Sequence, residues 1–186
     1  PVQVDYDSSQ KASLKLVKSY VAPKIKALKG INIWKTNLNS IRTSLLKNDW
    51  IENVTLRRKL PDRIQIKIDL APIVLLYVDK NNKIRPITKS GKVLSRVTKT
   101  LAPTVPLIRN NKILSDEKML NQIIDLIEEV PNIQALKMTN IAEVDLLPVT
   151  GLQLSLINED AIVHLGTENI STKGLQVLRV TDYLKS

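Results

Sequence analysis

Trp50-Ile51-Glu52-Asn53-Val54-Thr55-Leu56-Arg57-Arg58-Lys59-Leu60-Pro61-Asp62-Arg63-Ile64-Gln65-Ile66-Lys67-Ile68-Asp69-Leu70 decides how the rest of the chain is read. Its second half has the cleanest alternation in the sequence. Ile64, Ile66, Ile68 and Leu70 interleave with Arg63, Gln65, Lys67 and Asp69, which predicts a strand with one buried and one wetted face. Val54 and Leu56 face inward in a preceding strand, with Thr55 and Arg57 outward. Lys59-Leu60-Pro61-Asp62 has the residues of a turn. The stretch is therefore a β-hairpin.

Upstream, Val2, Val4 and Tyr6 alternate with Gln3 and Asp5, as in a short strand. Leu14, Val17, Val21, Ile25 and Leu28 recur every three or four residues, predicting a helix over 9–29 with one apolar face. Pro23 is expected to kink or split it, because proline lacks an amide donor and crowds the preceding turn. Gly30 is a natural stop. Leu38, Ile41 and Leu45 mark a second helix over 37–48, with Thr36 or Asn37 at its cap. The first unit thus reads strand, helix, helix, strand, strand.

Beyond Pro72 the pattern turns to short strands, at 73–78 and 83–87 around an Asp79-Lys80-Asn81-Asn82 turn, followed by the Ser90-Gly91 turn and Val93-Leu94. Pro103 and Pro106 punctuate a loop. A helix is expected over 116–129, capped by Ser115, with Met119, Ile123, Ile127 and Val130 on one side. Strands at 141–147, 152–157 and 161–165 follow, then a helix over 172–184 whose start Gly174 weakens.

Composition narrows the function. Of the 186 residues 43% are hydrophobic, enough for a buried core, but there is no Phe and only two Trp and four Tyr. Such a chain is poorly equipped to stack nucleobases. Lys and Arg outnumber Asp and Glu 21 to 7 over residues 1–100, a balance of +14; over 101–186 they are outnumbered 11 to 7. The basic half faces either an anionic surface or simply water. The absence of cysteine excludes disulfides and thiolate sites. No apolar run approaches the ~20 residues of a membrane helix. The chain begins at Pro1 rather than Met, so a signal or anchor is expected before it.

No catalytic constellation is legible. His164 stands between Val163 and Leu165, pointing away from the core, without the orienting partner that catalysis requires. Asp116-Glu117 and Glu128-Glu129 are adjacent on a helix and do not face each other. No phosphate loop, dinucleotide glycine pattern, nucleophile elbow or zincin motif is present. No catalytic, cofactor-binding or metal-binding residue is assigned, and no cofactor is expected. Nucleic acid is not an expected partner, because basic charge without interleaved aromatics is a weak warrant.

The hairpin resembles that of the POTRA domain in the FtsQ/DivIB family of cell-division proteins: Trp50-Ile51, the basic strand end at Arg57 and Arg58, Leu60 before Pro61-Asp62, then the aliphatic strand. Gly30-Ile31-Asn32-Ile33-Trp34 is similar to the family's glycine segment before its second helix. Ile73–Tyr77, Val105-Pro106-Leu107, Leu152–Leu156 and Val163-His164-Leu165-Gly166 resemble, in order, segments of the family's β domain. Asp69-Leu70-Ala71-Pro72 is shorter than the family's stretch, and the family's final strand after the last helix does not appear before Ser186.

The resemblance implies an α+β fold, with a βααββ POTRA domain at 1–71 and a mixed, mostly antiparallel FtsQ-type β domain with flanking helices at 72–186. It implies the extracytoplasmic part of a single-pass inner-membrane protein at the division septum. The role would be non-enzymatic: a scaffold that binds FtsB- and FtsL-like division proteins and links early division proteins to septal peptidoglycan synthesis. Other divisome members would be reached through the POTRA domain. An open sheet edge can take a partner strand by backbone bonding. That edge is expected at Ala161, Val163, His164 and Leu165, with Leu178 and Tyr183 of the last helix beside it. An anionic membrane surface is a further expected contact, through Lys11, Lys15, Lys18, Lys24, Lys26 and Lys29, each adding up to ~1 kcal/mol at the surface. Two alternatives stand beside this reading: a POTRA-containing outer-membrane assembly or secretion protein, and a basic nucleic-acid-binding module.

Overall fold

A computed structural model describes residues 2–7, 11–28, 30, 32, 34–129, 141–157 and 162–183, with backbone alone at 11, 12, 171, 175, 178, 179 and 181–183. The structure is α+β, and the chain divides into two compact units, Pro1–Pro72 and Ile73–Ser186.

Unit 1 runs β1 (Val2–Asp7), α1 (Lys11–Ala27), α2 (Leu38–Leu46), β2 (Ile51–Lys59) and β3 (Arg63–Leu70). Its sheet has the order β1-β3-β2, parallel between β1 and β3 and antiparallel between β2 and β3. The strand with the strongest alternation is therefore central. Ile64, Ile66, Ile68 and Leu70 are all buried, together with Val54, Trp50 and, from the helices, Val17, Val21 and Leu45. The opposite face of the sheet stays polar: Asp5 accepts from Gln65 at 2.9 Å, and Lys67 bridges Asp7 and Asp69 at 3.2 and 3.3 Å.

Pro23 does not split α1, which continues through it to Ala27. The proline ring lies exposed, while Val17 and Val21 anchor the helix to the core. Asn37 caps α2, its side chain accepting from the Ser40 amide at 3.2 Å. Gly30, after α1, has φ +81°, a left-handed value that side chains resist.

Unit 2 comprises β4 (Ile73–Val78), β5 (Ile84–Thr88), a 3-10 turn at Lys99–Leu101, β6 (Leu107–Ile108), α3 (Asn111–Ser115), α4 (Glu117–Glu129), β7 (Ile141–Leu147), β8 (Gly151–Leu156), β9 (Ile162–Gly166) and α5 (Ile170–Tyr183). The six strands pair in the order β5-β4-β6-β7-β8-β9. The β4-β6 and β6-β7 pairs are parallel, and the others are antiparallel. Leu120, Ile123, Ile124, Leu126 and Ile127 of α4 form one core with Leu75, Ile108, Val144, Leu152, Leu154, Val163 and Leu165 of the sheet. α5 packs close to α4 at Gly174, where a Cβ would stand 2.5 Å from Cδ1 of Leu126.

Three local expectations are revised. The cap of α4 is Asp116 rather than Ser115, since the Asp116 carboxylate accepts from the Met119 amide at 3.0 Å. Ser115 closes α3, a short helix that begins where Asn110 accepts from the Lys112 amide at 3.0 Å. The loop after Pro106 contributes β6, two residues inserted between β4 and β7. Ile31, Ile33, Val130 and Ala161 lie outside the described residues.

Candidate functional site

The two borders of the unit 2 sheet are built differently. β5 is followed by a return segment that folds back along it. Thr88 donates its amide to Lys92, the Leu94 amide donates to Pro86, and the Val97 amide donates to Ile84, at 2.8 to 3.0 Å. Ile84 bridges to Val97 and Ile87 to Val93. Pro86 adds a residue without an amide hydrogen to this border. The sequence thus covers that edge with its own backbone.

The other border is β9. It pairs antiparallel with β8, Gln153 opposite His164, Leu154 opposite Val163 and Ser155 opposite Ile162. Among the described residues no strand lies on its far side. A bare border presents unpaired amides and carbonyls in the spacing of a sheet, which is a template for another strand. The ladder ends at a glycine pair: Gly151 has φ +75°, and a Cβ there would run into the backbone of Gly166.

Side chains on β9 alternate. Val163 and Leu165 are buried in the core, so they hold the strand in place and offer a partner only backbone. Ile162 and His164 are exposed on the opposite face. The register places Asp145, Gln153 and His164 in one cross-strand row, and Glu143, Ser155 and Ile162 in the next. Ile162 is 56% exposed and Ile157, just past β8, is 53% exposed. The site therefore has a polar row and, at the start of β9, two solvent-facing isoleucines. That pair was not singled out from sequence; the apolar residue in the outward phase of an otherwise alternating edge strand was the available signal.

On the same face lies a groove of about 520 Å³, lined by Leu76, Val78, Ile84, Leu107, Ile141 and Ile157 and by the 102–105 segment. Arg109 stands at this groove and is bound to Glu143 at 2.9 Å.

Of the residues expected at the edge, Val163, His164 and Leu165 come together on β9. Ala161 lies outside the described residues, as do the side chains of Leu178 and Tyr183 on α5. The family-motif positions all lie in unit 1. Trp50 is buried, whereas Gly30, Trp34, Arg57, Arg58, Pro61 and Asp62 are exposed. Arg58 donates to the Thr36 carbonyl at 2.8 Å, joining β2 to the loop before α2.

Among the described residues no group of three or more His, Asp or Glu is placed to hold a metal ion, and no helix is long and apolar enough to cross a membrane.

Comparison with known proteins agrees with this architecture. Residues 16–69 match the family model for the POTRA domain, FtsQ-type. The chain is 24% identical over 165 residues to the cell division protein FtsQ of Syntrophotalea carbinolica, covering 84% of this chain and 57% of that protein. It is 25% identical over 158 residues to the cell division protein DivIB of Clostridium acetobutylicum, covering 80% of this chain and 62% of that one. Over 65 residues it is 34% identical to the DivIB of Clostridium tetani, covering 35% of this chain and 24% of that protein. The chain thus spans less than two thirds of the length of each of these relatives.

Proposed function

We propose, because the chain belongs to the FtsQ/DivIB family of cell-division proteins, that it is a non-catalytic divisome scaffold which captures a partner chain by strand addition along β9. Unit 1 is read as the POTRA domain and unit 2 as the family's β domain. The partners are FtsB- and FtsL-like division proteins, with other divisome members reached through unit 1. The protein would sit on the extracytoplasmic side of the inner membrane at the septum, held by an anchor preceding Pro1, and so couple early division proteins to septal peptidoglycan synthesis.

One observation supports the reading above the rest: the chain folds its own backbone over the β5 border, while no described strand covers β9. In this mode backbone bonds along β9 supply affinity, and side chains on alternate positions supply specificity. Ile157 and Ile162 would meet apolar partner residues; His164, Gln153 and Asp145 would select polar ones. The five residues of β9 offer few backbone bonds, so partner contacts with these side chains contribute part of the affinity.

The test is affinity capture of the full-length protein from membranes, followed by mass spectrometry of the co-purified chains, with the wild type beside an Ile162→Lys variant. The reading expects division proteins of FtsB and FtsL type with the wild type and their loss with the variant. Capture of outer-membrane assembly proteins, or of division proteins equally by both, would refute it.

A further inference from the structure

We infer that the end of unit 1 formed by the β2–β3 turn and the loop before α2 is a contact for an anionic bilayer surface. Trp34 and Leu60 are the two large hydrophobic residues exposed in this unit among those described, at 65% and 71%. The unit's other described large apolar side chains are buried, as Trp50 is, or half-buried, so this pair stands apart. The loop presents Trp34 in a defined way: Asn32 Oδ1 accepts from the Trp34 amide at 2.9 Å, and the Thr36 hydroxyl donates to the Asn32 carbonyl at 2.7 Å. The Arg58–Thr36 hydrogen bond ties this loop to the strand that leads into Leu60. The two apolar side chains thus belong to one end of the unit.

Cations surround them. Lys35, Arg57, Arg58, Lys59 and Arg63 are all exposed there. Asp62 lies 4.0 Å from Arg63 and Asp5 acts on Lys59, so among the described residues the cations outnumber the carboxylates. A projecting turn with an indole and a leucine among cations suits a lipid interface. Indole rings settle at headgroup depth, and basic side chains meet the anionic leaflet.

Chain direction supports the same orientation. β1 pairs parallel to β3 with Val2 opposite Ile64, so the polypeptide enters unit 1 beside the β2–β3 turn. This point rests on the reading above that an anchor precedes Pro1: such an anchor would deliver this end of the unit to the membrane first. Two of the α1 lysines are less suited. Lys24 is bound to Ser44 at 2.8 Å and lies over the Tyr20 ring, and Lys18 lies over the Tyr6 ring.

Co-sedimentation of the 186-residue chain with vesicles tests the inference, using phosphatidylcholine alone or mixed with phosphatidylglycerol. Binding is expected only to the anionic vesicles, falling as salt is raised, with a blue shift of tryptophan emission that Trp34→Ala abolishes. Lys59→Ala and Arg63→Ala should each weaken binding roughly fivefold, while Lys18→Ala leaves it unchanged; near-ultraviolet circular dichroism verifies that each variant is folded. Absence of binding to anionic vesicles overturns the inference, as does binding that the turn variants leave intact. It is equally overturned if those variants lose a protein partner while the vesicles bind nothing. Anchorage itself is read separately, from the membrane fraction of the full-length protein, so the two readings fail independently.

Discussion

His164 of β9 stands directly opposite Gln153 of β8, and no described strand lies on its other flank. The sheet therefore stops at a residue whose neighbours on both sides in sequence, Val163 and Leu165, are buried in the core. A border held this firmly is preorganised, which lowers the entropic cost of docking.

Ile162→Lys places a charge in the outward phase of that border, a device that natural edge strands use against pairing. Because Ile162 is mostly exposed, thermal stability should change by no more than ~0.5 kcal/mol. Partner capture should be lost. Calorimetry of the variant together with co-purification reads both halves of the expectation.

Gly174→Val should destabilise unit 2 by about 1–3 kcal/mol, the usual cost of overpacking. A Cβ at this position already meets Leu126 Cδ1 at 2.5 Å and Cδ2 at 3.0 Å. In a Leu126→Ala background the same substitution should cost much less. A double-mutant cycle by urea denaturation isolates the coupling.

Ile66→Ala removes a fully buried side chain from the central strand of unit 1. The expected loss is about 2–5 kcal/mol, measured by chemical denaturation. A loss under ~1 kcal/mol, typical of surface positions, would contradict the assignment of β3 as the core strand.

The Lys83 amide, and with it the Asn81 amide, holds the Asp79 carboxyl below its ordinary value of 3.8 against the opposing effect of burial. A folded pKa below the unfolded one means that the folded state binds fewer protons as the group titrates. Its stabilising contribution is present above the ordinary carboxylate range and is lost as pH falls through the folded value. Asp79→Asn should therefore flatten the acid limb of the stability curve, and carboxyl NMR titration of the wild type should place Asp79 below an unfolded reference peptide.

Legibility in the sequence followed the range of the forces involved. β3 was readable because its four aliphatic residues share one phase, and burial on one face of a central strand demands that phase. β6 and α3 were not, since two and five residues are too few to show a period. The α4 cap was misplaced by one residue because Ser115 and Asp116 both carry acceptor side chains, and only the backbone decides which reaches the free amide. The cover of β5 comes from the adjacent 92–97 segment, whereas the strand order, and with it the bare β9, depends on pairing between distant segments. No local pattern encodes that pairing. Gly174 read as a weak helix start, whereas its role is the close approach of α5 to Leu126.

Amide hydrogen exchange across Ile162–Gly166, in the full-length protein alone and bound to the partner captured from membranes, tests strand addition most directly. The account predicts that alternate amides along β9 exchange rapidly in the free protein and become strongly protected in the complex. A complex whose β9 amides exchange as they do in the free protein would contradict it.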